Sequence, residues 1–263
     1  MKNRYESTIY IWDSRVLHIS RYPDVSEHRL GAAAFIVGLD GTFSILEAET
    51  DTWHECRTAL IPPGCVHETR YGGINAAVLH IEPESIDYMN LSGSMPHGDW
   101  QIMYDHIDEV QMIKLMNLMD EKSLDTVEGH KVMQQVVYGV GYDYPVEQKI
   151  DARIRKVLEM IKAEPAASYS MEVLAEIVSL SPTRFIHLFK EQTGVPIRRF
   201  RQWVRMKTVI TYVAHGKSLT EAALEAGFTD SAHFSRAFRN MFGITPSSVF
   251  NRSQTTRFFV HEE

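Results

Sequence analysis

The sequence predicts a two-part protein, mainly β in its N-terminal half and all α in its C-terminal half, on three observations. Short β-branched and aromatic runs punctuated by turn signals fill residues 1–85, whereas apolar residues beyond about 145 recur at helical spacing. A fragment near the C-terminus occurs twice, 49 positions apart: Ser181-Pro-Thr-Arg-Phe185-Ile-His-Leu-Phe189-Lys190 with Gly194, and Asp230-Ser-Ala-His-Phe234-Ser-Arg-Ala-Phe238-Arg239 with Gly243. The charge divides with the pattern. Residues 151–263 carry 16 Lys+Arg against 11 Asp+Glu, net +5, while residues 1–150 carry 11 against 23, net -12. A basic part joined to an acidic part suits a nucleic-acid binder with a separate sensor.

Composition sets the outer bounds. A chain of 263 residues with 44% hydrophobic and 23% charged residues has room for two domains with ordinary cores. No N-terminal apolar run resembles a signal peptide, and no later run is long enough to span a bilayer, so a cytoplasmic location is expected. Cys56 and Cys65, without CxxC spacing, read as reduced thiols.

In the N-terminal part, strands are expected at 9–12, 16–19, 33–37, 42–46, 59–61 and 76–81, separated by turn signals such as Asp40-Gly41 and Gly72-Gly73. Many short strands favour a sandwich or small barrel. Met103, Ile107, Val110, Ile113 and Met116 predict a helix over about 100–118, and a second is expected over 126–138. The first of these, rich in Met103, Met112, Met116 and Met119, is a candidate dimer surface. Gly139-Val-Gly141-Tyr-Asp-Tyr-Pro145 has linker composition. The expected domains are therefore 1–99, a barrel; 100–145, a helical segment and linker; and 146–252, a helical domain.

Beyond the linker, Ile154, Val157, Leu158 and Ile161 form one apolar stripe. Ser170 is placed to cap a short helix with Val173, Leu174 and Ile177 inward. Helices follow over 182–193 and 197–214, then one opened by the capping box Ser218-Leu-Thr-Glu221, then the second copy of the repeat, and a short helix begins at Pro246. Two short helices joined by a tight turn, with Ala175 or Ala223 at the crossing, make a helix-turn-helix; here it occurs twice. Phe185, Leu188 and Phe189 belong inside, leaving Thr183, Ile186, His187 and Lys190 outward. The second copy turns Ala232, Ser235, Arg236 and Arg239 outward. The intervening helix is a rod of roughly 27 Å, suited to two recognition helices about one DNA turn, roughly 34 Å, apart.

Residues 151–250 resemble the DNA-binding domain of the AraC family of bacterial transcription regulators. The resemblance rests on Leu219-x-Glu221-x-Ala223, Gly227-Phe228-x-Asp230-Ser231-x-x-Phe234-Ser235-Arg236-x-Phe238-Arg239 and Gly243-x-x-Pro246. Ile197, Arg201-Gln202 and Val249-Phe250 depart from the family pattern. The residue types assign roles: Arg236 to a bidentate guanine contact, with His187 or Thr183 reaching a base edge. Arg239, Lys190 and Arg184 go to phosphates, Ser181 and Ser231 to phosphate oxygens at helix N-termini, and Ile186 to a thymine methyl or to shape.

The strand-rich part resembles the cupin-like, jelly-roll sensor domain of many such regulators, through Pro62-Pro63-Gly64-Cys65-Val66-His67. Candidate effector-pocket walls are His18, Phe35, Phe43, His67 and His80. The resemblance implies double-stranded promoter DNA, a small-molecule effector, RNA polymerase and a second copy of the chain as partners, with no cofactor, no metal and no catalysis. Two alternatives stay open: a metal-dependent cupin enzyme using His28, His67, His80 and Glu47, and an effector-free DNA-binding protein.

Overall fold

In the computed structural model of the chain, the described residues are 7–96, 101–122, 124–139, 150–250 and 256–261. The strands expected in the N-terminal half are present as β1 (Ser7–Ile11), β2 (Arg15–Arg21), β4 (Ala33–Gly38), β5 (Phe43–Glu47), β7 (Thr58–Ile61) and β9 (Asn75–Ile81). Three further strands lie between them, β3 (Val25–Arg29), β6 (Thr52–Cys56) and β8 (Val66–Arg70). Their sequences, VSEHR, TWHEC and VHETR, are too polar to stand out as apolar runs.

They form two sheets rather than a closed barrel. The larger has seven strands in the order β10-β7-β4-β9-β2-β1-β11, where β10 is Met103–Tyr104 and β11 is Thr256–Val260; the smaller has the order β3-β8-β5-β6. Helices α1 (Ile86–Gly93), α2 (Glu109–Lys122) and α3 (Thr126–Tyr138) cover the outer face of the larger sheet. The result is three layers, so the central strands of the large sheet are buried on both faces. Along β4, Ala33, Phe35 and Val37 pack toward the helices with Leu115, Met116 and Met119, while Ala34 and Ile36 face the small sheet with Ile45 and Phe43.

Three expectations need correction here. The helix placed over 100–118 begins only at Glu109; Met103 lies in β10, paired with Leu60, and Ile107 precedes the helix. Met112, Met116 and Met119 are buried against the sheet, where flexible thioethers fill the gap between a helix and a twisted surface, so they form no free face. The region after 145 is also not wholly helical. The chain returns as β11 and pairs in parallel with β1, Ser7 opposite Thr256 through Ile11 opposite Val260, with Phe259 stacked 4.6 Å from Tyr10. Of the expected linker 139–145, only Gly139, the C-cap of α3, is among the described residues.

The helical part runs α4 (Ala152–Ala163), α5 (Met171–Ile177), α6 (Pro182–Thr193), α7 (Ile197–Ala214), α8 (Leu219–Glu225), α9 (Ser231–Phe242) and α10 (Pro246–Phe250). Ile154, Val157, Leu158 and Ile161 are buried, as are Phe200 and Val209 of α7, while Trp203 of the same helix is buried against the β part, its ring 5.7 Å from that of His80. Val173 faces solvent instead of the core: with Ser170 as N-cap, Leu174 and Ala175 take the inner positions of so short a helix.

Charges and close backbone contact join the two parts. Glu82, just after β9 and almost fully buried, receives Lys162 of α4 at 2.5 Å and Lys207 of α7 at 2.8 Å, and Glu84 receives Lys162 at 2.7 Å. Burial and the neighbouring Glu82 raise the Glu84 carboxyl above its usual range. Arg199 of α7 donates to the Arg29 carbonyl at 2.7 Å, and Ser26 donates to the Gly243 carbonyl at 3.1 Å. Gly243 has φ +68, and a Cβ there would stand 2.5 Å from the Ser26 carbonyl oxygen. Glycine is therefore needed both to end α9 and to let that end rest on β3.

Candidate nucleic-acid interface and interdomain cavity

The two helix-turn-helix units share the same turn bonds and differ in their caps. Ser170 caps α5 by accepting from the Val173 N–H, and the Ser218–Glu221 capping box opens α8. At the first turn, Ser179 N–H donates to the Glu176 carbonyl and Leu180 N–H to that of Ala175. At the second, Gly227 N–H donates to Leu224 and Phe228 N–H to Ala223. This is the Schellman arrangement, which needs a left-handed residue, here Ser179 at φ +54 and Gly227 at φ +91. Gly227 also answers a packing need: a Cβ there would lie 2.7 Å from the Ala166 Cα.

The second helix of each unit then starts on a side-chain cap. Ser181 accepts from Arg184 N–H at 3.3 Å, and Asp230 accepts from His233 N–H at 2.6 Å. Each ends on a left-handed glycine, Gly194 or Gly243, whose N–H bonds Lys190 or Arg239. Inside α6 lie Phe185, Leu188 and Phe189; inside α9 lie Phe234, Ala237, Phe238 and Met241. The outer faces carry Thr183, Arg184, Ile186, His187 and Lys190 on α6, and Ser231, Ala232, Ser235, Arg236 and Arg239 on α9, all exposed. Ile186 is 42% exposed, a large apolar side chain in the middle of a polar face. The Ser181 hydroxyl already accepts its helix's own N–H, and Ser235 Oγ donates to the Ser231 carbonyl at 2.8 Å, so both are partly committed to the helix.

The rod α7 is 18 residues long and is fixed by two arginines to which the sequence assigned no role. Arg201 donates to the carbonyls of Tyr169 and Ala167 at 2.8 and 2.6 Å, and Arg205 to that of Pro165 at 2.9 Å. They bind the α4–α5 connection to the rod and so hold the first unit at a set angle to it. The signal available beforehand was Arg201 standing where the family pattern carries an apolar residue.

A second site lies between the sheets and the helical domain. It is a cavity of ≈ 70 Å³, walled on one side by β-strand residues including Ile36, His67 and Val78, and on the other by Ile210, Phe238 and Phe242 of α7 and α9. Four histidines border it, His18, His28, His67 and His80. His18 is held at both ring nitrogens, by Ser7 Oγ at 2.9 Å and Tyr22 Oη at 2.6 Å. His28 and His67 face each other across β3 and β8 with ring centres 4.2 Å apart. Burial holds His18 and His28 down at about 4 and His80 at about 3, and pushes His67 well below its usual value with help from His28. All four are neutral imidazoles at neutral pH.

Of the five pocket-wall candidates, His18, His67 and His80 border the cavity, and Phe35 and Phe43 do not. Phe35 points to the opposite face of the large sheet, 5.8 Å from His106. Phe43 stands behind Tyr71, with ring centres 5.8 Å apart. Among the described residues, no group of three or more His, Cys, Asp or Glu is arranged to hold a metal ion. Glu47 in particular turns its carboxylate to the backbone N–H groups of Gln101 and Ile102. No helix of the described residues is long and apolar enough to cross a membrane.

Comparison with known proteins bears on both sites. Residues 174–252 match the family described as "Helix-turn-helix domain". An uncharacterized HTH-type transcriptional regulator from Haemophilus influenzae is 31% identical over 98 residues, 37% of this chain and 33% of that protein. The HTH-type transcriptional activator RhaS of Escherichia fergusonii is 25% identical over 156 residues, 57% of this chain and 56% of RhaS. The chain thus spans between a third and somewhat over half the length of these relatives. In structure it is similar to ToxT from Vibrio cholerae, with a TM-score of 0.60 at 14% identity over 90% of this chain and 96% of ToxT. A structure of ToxT bound to an unsaturated fatty acid gives a TM-score of 0.59 at 12% identity, over 90% and 95%. At that identity the likeness concerns the fold, and it covers both parts of the chain.

Proposed function

We propose that this chain, an AraC-family protein by its helix-turn-helix domain, is a sequence-specific DNA-binding regulator of transcription. Its two recognition helices read successive major grooves of one duplex, and a small molecule in the interdomain cavity sets how they are presented. The observation that carries this reading is the duplication itself. Two helices with side-chain N-caps, left-handed C-terminal glycines and buried phenylalanines at matching positions expose Thr183, His187 and Lys190 on one and Ser235, Arg236 and Arg239 on the other. A rod of 18 residues, about 27 Å, separates them. Arg236 takes a guanine edge and His187 or Thr183 a base edge, with Arg184, Lys190 and Arg239 on phosphates; Ser181 and Ser231 support phosphates at the helix starts.

Control through the cavity follows from which side chains line it. Phe238 and Phe242 are on the inner side of the same helix whose outer side carries Arg236. A ligand that favours one position of α9 over another shifts DNA affinity by its differential affinity for the two states, and DNA shifts ligand affinity equally. The fatty-acid complex of ToxT supports an effector role for this fold. In this reading the sensor comprises residues 1–99, the helical segment and linker 100–145, and the DNA-binding domain 146–252. The protein acts in the bacterial cytoplasm, on promoter DNA, with RNA polymerase and a second copy of itself as protein partners and without catalysis. Ile107, just before α2, and Val110, in its first turn, 78% and 67% exposed, favour self-association on that side.

The test is selection of duplexes from a random-sequence pool by the full chain, followed by gel-shift titration. The expected result is an enriched site bound at least about 10³-fold more tightly than unselected DNA. A pool that yields no enrichment, with binding equal on all sequences, overturns the reading.

A further inference from the structure

We propose that the interdomain cavity selects an uncharged, single-ring aromatic molecule bearing one hydroxyl, of the size and polarity of phenol, and rejects the corresponding carboxylate. This rests on the effector-pocket reading above and adds the chemical class of the ligand.

Charge sets the first restriction on the ligand. Among the described residues, no lysine, arginine, aspartate or glutamate borders the cavity. Its titratable groups are four histidines and two tyrosines, Tyr22 and Tyr71, and burial pushes both phenols up and all four imidazoles down. A carboxylate entering here would lose its water and meet no cation.

Hydrogen bonding narrows the class further. Several polar atoms of the wall are already engaged: His18 by Ser7 and Tyr22, His28 Nδ1 by the Ser26 carbonyl, His67 Nδ1 by the Cys65 carbonyl. Two others are fully buried and unpaired. Thr69 Oγ1 and His80 Nδ1 are buried without any partner, Thr69 with 1% of its surface exposed. Buried polar atoms in native proteins are nearly always satisfied, and here both belong to side chains that border a cavity. A hydroxyl both donates and accepts, so it suits a threonine oxygen and an imidazole nitrogen in either tautomer. The rest of the wall is Ile, Val, Leu, Ala, Phe and Tyr, which favours a ring over a polar chain.

Size sets the upper limit and supplies the consequence. The cavity measures ≈ 70 Å³, about half of the roughly 150 Å³ engineered cavity that takes up benzene. A single ring therefore fits only if a wall gives. The wall contributed by the helical domain is Ile210 of α7, Phe238 and Phe242 of α9, and Ile244, Val249 and Phe250 beyond it; Phe238 and Phe242 lie on the inner side of α9. Binding of one ring displaces the inner side of the second recognition helix, which is the movement that regulation needs.

The experiment measures binding of phenol, toluene and benzoate to the full chain at pH 7.5, by calorimetry and thermal shift, in the native protein and in Thr69→Val and Val78→Phe. Phenol is expected to bind at least about tenfold more tightly than either analogue, although a merely greasy cavity would rank toluene first. Thr69→Val, which keeps the side-chain volume, is expected to bring phenol down toward toluene, and Val78→Phe, which fills the cavity, to abolish binding of both. If benzoate binds as tightly as phenol and Val78→Phe removes it, the charge assignment is overturned while the effector pocket stands. If none of the three binds, or binding ignores Val78→Phe, the inference and the effector-pocket reading fall together. Should Val78→Phe not fold, an unchanged phenol-to-toluene ratio in Thr69→Val overturns the inference.

Discussion

Lowering the pH should loosen this protein well before its carboxylates titrate, because four buried histidines resist protonation. In the unfolded chain a histidine takes up its proton near pH 6.5. In the folded chain burial holds His18 and His28 at about 4 and His80 at about 3. The folded pKa values are depressed, so the stability they confer is fully present above about pH 6.5. It is lost as the pH falls from there toward 4. At pH 5.5, one unit below the unfolded value, each such histidine costs about 1.4 kcal/mol, and three cost about 4 kcal/mol. His67 adds to this in the same direction. The raised carboxyls of Glu84 and Asp120 act oppositely, gaining as the pH falls, and offset part of the loss. Against a typical domain stability of roughly 5–15 kcal/mol the net effect is large. Urea unfolding followed by circular dichroism at pH 7.5, 6.5 and 5.5 measures it. The double variant H28Q/H67Q, which removes one facing pair, should roughly halve the slope. Equal stability at pH 7.5 and 5.5 in the native chain would refute the account of these histidines as buried and neutral.

Three further outcomes are expected. Arg236→Ala should weaken specific DNA binding by about 1–3 kcal/mol and relax preference at one base pair, with little change in thermal stability; fluorescence anisotropy on matched and mutated sites decides it. Gly243→Ala should cost about 1–3 kcal/mol and split one melting transition into two, since the new methyl meets the Ser26 carbonyl at 2.5 Å in a backbone conformation at φ +68; calorimetry reads this, and a single unshifted transition contradicts it. Glu82→Gln should lower stability by about 2–3 kcal/mol, below the roughly 3–5 of a fully buried pair because Lys162 is a third exposed, and should raise protease sensitivity at the domain junction.

The helical half was almost fully legible in the sequence, and the reason is local. Helix N-caps, a capping box, C-terminal glycines and phenylalanines four apart act within a few residues of each other, so α6, α7 and α9 lie where their spacing put them. The β half was legible in its apolar strands and opaque elsewhere. β3, β6 and β8 show one face to solvent and read as polar loops. β4 is buried on both faces, so nothing along Ala33–Gly38 says which way Phe35 points, and it was assigned to the wrong side. The methionines of α2 show a helical stripe, but a stripe cannot say whether it meets a sheet or a second molecule. β11 was not visible at all, because pairing of Thr256–Val260 with Ser7–Ile11 is a contact between the two ends of the chain and leaves no local signal. The cavity was half legible: the histidines stood out by type, whereas Phe238 and Phe242 looked like ordinary core of a recognition helix.

The most direct measurement of the central claim is a guanine-methylation footprint on a selected duplex, repeated with Arg236→Ala and with the double variant H187A/K190A. Two recognition helices on one rod require two patches of protection about 10 base pairs apart on one face of the DNA. The first variant should erase one patch and the second variant the other. A single patch, or loss of both together in either variant, would contradict it.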